Sequence, residues 1–205
     1  MHREILTKNQ TNLLFIPQMF SKNFGLVGGT AIALQIGHRH SIDFDLFTNK
    51  PFSNFNIKKR ISKHRKIKDV FKDEDGHYTF IIEDVQFTFF YYPYPIIKPL
   101  KKYKKVSTAS IPEIAAMKAL SIGRRLSYKD YVDWYFLLSE KHIKLQQVIR
   151  LAQKKFNGDF NSRLFLSQLI SISDVPTLKI DFLRNPVDRK TVEDFLVAAV
   201  RDFKI

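Results

Sequence analysis

"FGLVGGTAIALQIGHRHSIDFDLFT", residues 24–48, joins an apolar run to a glycine pair, a helix-like stretch and an alternating segment. In "IDFDLFT" (42–48) Ile42, Phe44 and Leu46 fall on one side of a strand, and Asp43, Asp45 and Phe47 on the other. Two carboxylates that close raise each other's pKa unless a cation neutralises them. Hard oxygen ligands suit Mg²⁺, which takes one or two carboxylates together with substrate phosphates. Gly28 and Gly29 supply the complementary half. Without side chains they let an anion approach the backbone, and the following helix N-terminus offers N–H groups to it. Thr30 adds a hydroxyl donor. The plainer alternatives are two solvated aspartates and an ordinary Gly-Gly turn. A phosphate seat placed shortly before a dicarboxylate is more specific than either part alone.

Working outward, the chain has 205 residues, is 44% hydrophobic, and can bury a core. Lys plus Arg number 34 and Asp plus Glu 20, a formal charge of +14. That balance favours a polyanionic partner such as RNA, DNA or nucleotide phosphates, although solvated lysines alone also produce it. The absence of cysteine excludes disulfides, thiol nucleophiles and cysteine-based zinc sites. The N-terminus has no apolar core of a signal peptide, and no run approaches the roughly 20 apolar residues that span a bilayer. The expectation is a cytoplasmic protein.

Residues 4–22 read as a helix that Pro17 bends or divides. Residues 30–37 suit a helix without a clean apolar stripe, and residues 52–66 a basic helical segment. "HYTFIIED" and "VQFTFFYY" read as strands joined near Glu83 and Asp84, and "PYPIIKPLKKYKKVS" as a basic loop. From residue 110 the pattern is helical. Ser110 with Glu113, and Ser127 with Asp130, have capping-box spacing. Further helices are expected over 144–156, 160–170 and 191–203. The expected organisation is an α/β core over 1–108 and a helical region over 109–205.

The stretch "GLVGGTAIALQIGHRHSIDFDLF" resembles the G-G-[TS]-x-L…G-H-R-x-S-x-D-x-D-L-F signature of the AbiEii/AbiGii nucleotidyltransferase toxins, within the DNA polymerase β-like nucleotidyltransferase superfamily. "YPYP" (92–95), "AAMKALSIGRR" (115–125) and "KDYVDWYFLL" (129–138) extend the resemblance over roughly residues 20–140. It implies an α+β, polymerase β-like fold with a small mixed sheet, followed by a helical part that completes the active site. It also implies Mg²⁺ or Mn²⁺ as cofactor and a nucleoside triphosphate as substrate. RNA, such as the tRNA 3′ end, would be the acceptor, and a cognate antitoxin the protein partner.

On these residues the resemblance puts metal ligation and catalysis at Asp43 and Asp45, and nucleotide binding at Gly28, Gly29, Thr30, Arg39 and Lys118. It adds Asp130 or Asp133 as a further catalytic carboxylate. The residues themselves support part of this. Lys118 sits mid-stripe on an apolar helix face and needs an anion or a route to water. Asp133 points toward apolar neighbours and would pair with Lys118, Arg124 or Arg125, whereas Asp130 could simply complete a cap. Related sites often carry a third carboxylate on a later strand, and here that position falls near Thr88. A nucleotide- or RNA-binding module without turnover is therefore a second reading, and a protein or small-molecule acceptor a third. His38 and His40 read as local hydrogen-bonding or phosphate-contacting groups. Phe87 and Phe89 read as core, while Tyr91, Tyr92 and Tyr94 could stack on a base. Lysine clusters at 58–68 and 98–105 would suit an RNA backbone if they lie on the same side as Asp43.

Overall fold

The computed structural model of the chain describes residues 1–124 and 127–203. They divide into two units, Met1–Ser110 and Ile111–Ile205. No helix among the described residues is long and apolar enough to cross a membrane.

In the first unit, a capping box of Thr7 and Gln10 starts α1 (Lys8–Leu13), and α2 (Phe15–Phe20) follows with a break at Leu14. Pro17 lies in the first turn of α2, where its missing N–H costs least. Strand β1 (Gly25–Val27) runs directly into α3 (Gly28–Ile36), which ends at Gly37 with φ 67°. Six of the nine α3 residues are buried, which explains the missing polar stripe. Then come β2 (Phe44–Thr48), α4 (Asn54–Ile61), β3 (Asp69–Glu74), β4 (His77–Ile82), β5 (Val85–Tyr91), β6 (Lys101–Tyr103) and β7 (Val106–Thr108).

The strands form one mixed sheet in the order β3-β4-β5-β2-β1-β7-β6. Strand β2 is antiparallel to β1 and parallel to β5, and β1 is parallel to β7. Glu83 and Asp84 both take positive φ in the tight β4–β5 turn. Strand β3 and the β6–β7 hairpin were not expected: β3 is the charged sequence "DVFKDE", and the hairpin strands are three residues each.

One sheet face is aromatic. Phe44, Leu46, Phe80, Phe87 and Phe89 are fully buried on it, and Phe89 packs edge-on against Phe20 and Phe24. Ile42, expected on this face, is instead 49% exposed because it precedes the strand. Asp45 points the other way. Its register partner on β5 is Thr88, whose partner on β4 is Thr79.

The second unit contains α5 (Ile111–Ser121), α6 (Tyr128–Ser139), α7 (Leu145–Phe156), α8 (Ser162–Ile170) and α9 (Arg189–Arg201). The two expected capping boxes are not made. Ser110 Oγ has no hydrogen-bond partner, and Glu113 accepts instead from Lys155 at 2.5 Å. The Ser127 side chain makes no capping bond, and Asp130 accepts from Lys118. Both acids serve long-range ion pairs that local spacing cannot reveal.

Candidate active site

The strand–glycine–helix passage brings β2 against the start of α3. Val27 and Asp45 are register partners, so the turn at Gly28 lies beside the Asp45 side chain. Gly28 has φ 71°, a conformation L side chains avoid. A Cβ there would collide with Asp45 Oδ2 and lie 3.1 Å from its Cγ. A Cβ on Gly29 would lie 2.7 Å from Arg39 Nη2 and 3.2 Å from Ser41 Oγ. Consecutive glycines thus admit a carboxylate and a guanidinium against bare backbone. Arg39 is 4% exposed, and its Nη1 donates to the His40 carbonyl at 3.0 Å, which fixes the fork.

Thr30 departs from its expected use. It is 1% exposed, its hydroxyl donates to the Asp43 main-chain carbonyl, and Ser41 Oγ lies 2.9 Å away. It therefore ties α3 to the residue that starts the carboxylate pair. Gln10 Nε2 donates to the Ser41 carbonyl at 2.9 Å from the other side. Ser41 had no role in the sequence reading. Its place two residues before Asp43 was the available signal.

Asp43 and Asp45 are both half-buried. Thr88 stands beside Asp45, with Thr79 Oγ1 3.4 Å from its hydroxyl. Among the described residues no group of three or more His, Cys, Asp or Glu could hold a metal ion. His38 is fully buried, and His40 Nδ1 donates to the Ile5 carbonyl at 3.0 Å, which ties the loop before β2 to the N-terminal segment. Phe87 and Phe89 are core. Tyr92 and Tyr94 pack against each other at 5.1 Å, and Tyr91 is 41% exposed.

The second unit holds Lys118 between two carboxylates. Its Nζ lies 2.5 Å from Asp130 Oδ1 and 2.9 Å from Asp133 Oδ2, with side-chain exposures of 4%, 3% and 0%. Asp130 and Asp133, three apart on α6, share a helix face and grip one ammonium. The expected choice between them dissolves, because both bind Lys118. Arg125, the other considered partner of Asp133, lies outside the described residues.

A family model described as "Nucleotidyl transferase AbiEii toxin, Type IV TA system" matches residues 14–203. The chain belongs to this family. An uncharacterized protein of Aquifex aeolicus (strain VF5) is 34% identical over 157 residues, 74% of this chain and 75% of that one. Among solved structures, a protein from H. pylori assigned as a nucleotidyltransferase superposes with a TM-score of 0.60 at 18% identity, covering 95% of this chain and 94% of that one. MenT4, a nucleotidyltransferase toxin from Mycobacterium tuberculosis H37Rv, superposes with a TM-score of 0.55 at 11% identity, covering 94% and 83%. At these identities the structures attest the fold alone, that of nucleotidyltransferases, with a mixed sheet and helices.

Proposed function

We propose that this AbiEii protein transfers a nucleotide from a nucleoside triphosphate to RNA, with the 3′ end of a tRNA as acceptor, and that a cognate antitoxin restrains it. The observation that carries the reading is the Asp45 carboxylate of β2 lodged against Gly28, with Asp43 half-buried immediately before the strand. Two half-buried carboxylates at that spacing fit a hard divalent cation that draws its remaining ligands from triphosphate oxygens and water. Asp43 and Asp45 would hold Mg²⁺ or Mn²⁺. Such an ion, when bound, neutralises phosphate charge and orients the reacting oxygens.

The chain's own residues do the positioning. Gly28 and Gly29 let Asp45 and Arg39 approach the start of α3, where backbone N–H groups would meet phosphate oxygens. Arg39, fixed by the His40 carbonyl, offers a charged fork beside Gly29. Thr30 and Ser41 hold the main chain at Asp43, so we assign them a positioning role. Lys118 has three N–H donors, of which Asp130 and Asp133 take two; the third is assigned to a phosphate oxygen. The acceptor hydroxyl attacks the α-phosphorus, its proton leaves with solvent or a carboxylate, and pyrophosphate departs. The protein's contribution is alignment and charge neutralisation.

The test is incubation of the full chain with labelled nucleoside triphosphates, Mg²⁺ and total RNA. Label should enter RNA with the native protein and not with Asp43→Ala. Thr88, standing where a third carboxylate would face Asp45, favours a second reading: a nucleotide- or RNA-binding module without turnover. Triphosphate binding with no transfer to RNA, protein or small molecules would establish that reading instead.

A further inference from the structure

Parts of the two lysine clusters singled out in the sequence meet at α2, on the aromatic side of the sheet. Helix α4 sits over the aromatic face: Arg60 stacks on Phe20 at 4.5 Å and donates to the Met19 carbonyl at 2.9 Å, and Phe20 packs on Phe89. The β6–β7 hairpin reaches the same helix, because Gln18 Nε2 donates to the Lys104 carbonyl at 2.8 Å. Gln18 and Met19 are neighbours on α2. Helix α4 and the hairpin turn are therefore joined through a single turn of α2, on the side of the sheet opposite Asp45.

That surface is rich in cations, with Asp73 bonded to Asn54 at the start of α4. Residues 46–68 and 85–112 contain no acidic side chain. Arg65 and Lys68 are matched by Glu83 and Asp84. Lys59, Lys63, Lys104 and Lys105 are exposed, as is Lys22 just after α2. Lys102 is already engaged, donating to Ser107 and Ser21 at 2.7 and 3.0 Å. On α4 the inward stripe is Ile57 and Ile61, and Phe55 and Lys59, four apart, share the outward stripe. Phe55 is 69% exposed.

We infer that this helical face of the first unit is an RNA-docking surface distinct from the carboxylate face. Lys59, Lys63, Lys104 and Lys105 seat phosphates, and Phe55 stacks on an unpaired base. The inference rests on RNA being the acceptor and states how it is held. Lysine is depleted from protein–protein interfaces, whereas exposed lysines around one aromatic ring are what a nucleic-acid backbone and its bases require. Strand β6 lies three strands from β2, about 14 Å at the usual inter-strand spacing. An RNA seated on the helical face can pass its unpaired end around the β6 edge toward Asp43 and Asp45.

The experiment measures binding of fluorescein-labelled tRNA to the full-length protein by anisotropy over a series of salt concentrations. The test variant carries Lys59→Gln, Lys63→Gln, Lys104→Asn and Lys105→Gly. Lys104 and Lys105 take φ 42° and 69°, and Asn-Gly is the pair such a turn prefers, so the fold is kept. The variant should bind at least tenfold more weakly. Its slope of log affinity against log salt should fall by about 3, from four lost contacts at roughly 0.7–0.9 each. Asp43→Ala should bind tRNA as the native protein does while failing to transfer, so loss of docking and loss of catalysis are read separately. Phe55→Ala should weaken binding to single-stranded RNA and leave the slope unchanged. Native affinity and slope in the four-site variant would overturn the proposal. So would equally tight binding of poly-glutamate, which would make the face a site for an acidic protein.

Discussion

Asp43, just before β2, and Asp45, within it, keep part of their surface in solvent, whereas Asp130 and Asp133 stand three apart on a helix with side chains 3% and 0% exposed. The helical pair is closed around a lysine of the same unit, so much of its charge is matched within the fold. In the strand pair the Asp45 carboxylate sits where a Cβ on Gly28 would be, and both acids are half-buried. Losing one partner of a fully buried charge pair is costly to the fold, whereas a half-buried carboxylate keeps some access to solvent.

The largest expected effect comes from opening the closed cluster. Lys118→Met leaves two carboxylates buried without their ammonium, and should cost about 3–5 kcal/mol in urea unfolding. Asp45→Asn should change stability by less than about 1 kcal/mol, yet lower nucleotide transfer by at least about a hundredfold. If the two variants lost stability equally, the contrast between a structural and a ligand-taking pair would be wrong.

Glu113 and Lys155 sharpen the point, since both side chains are 0% exposed and lie 2.5 Å apart, joining α5 to α7. Lys155→Met alone should cost about 3–5 kcal/mol. Adding Glu113→Leu should recover most of that loss, because an apolar pair no longer carries an unmatched charge. A double variant no more stable than the single would show that the pair is needed for more than neutrality.

Gly28 tests the open site from the backbone side. Gly28→Ala meets an unfavourable φ, worth about 1–2 kcal/mol, and pushes its methyl into the Asp45 carboxylate. Stability should fall by that amount, while transfer falls far more because the carboxylate is displaced. A comparable alanine at Gly158, where an added Cβ meets nothing within 4 Å, should leave transfer unchanged.

The contrast was only partly legible in the sequence. Period-two alternation located β2 and the buried Phe44 and Leu46, and the glycine pair marked the turn before α3, because both signals are local. Glu113 and Asp130 were misread as caps because their partners lie 42 and 12 residues away. Strand β3 escaped because it is an exposed edge strand with charged residues, lacking the apolar alternation that marks β4 and β5. The division of lysines between sheet faces was also invisible. It depends on α4 and the hairpin meeting at α2, which no single segment encodes.

The smallest effect lies at Glu140, an acid that is neither closed off nor open to a ligand. Arg184 grips it with bonds of 2.6 and 2.7 Å, and His142 Nε2 lies 2.9 Å away. The Arg184 hydrogen bonds hold its carboxyl below the usual glutamate range, burial opposes them, and His142 assists. A carboxyl lowered by folding contributes stability above its unfolded pKa of about 4.3, and that stability is lost as pH falls through the lower folded value. Arg184→Met should therefore cost about 1 kcal/mol near pH 7, and the difference should shrink toward zero as pH falls through the lowered folded value. Unfolding curves of both proteins across that range give the answer. A difference that persisted undiminished in acid would mean that Arg184 acts through its packing on Phe136, 5.8 Å from its guanidinium, and not through the carboxylate.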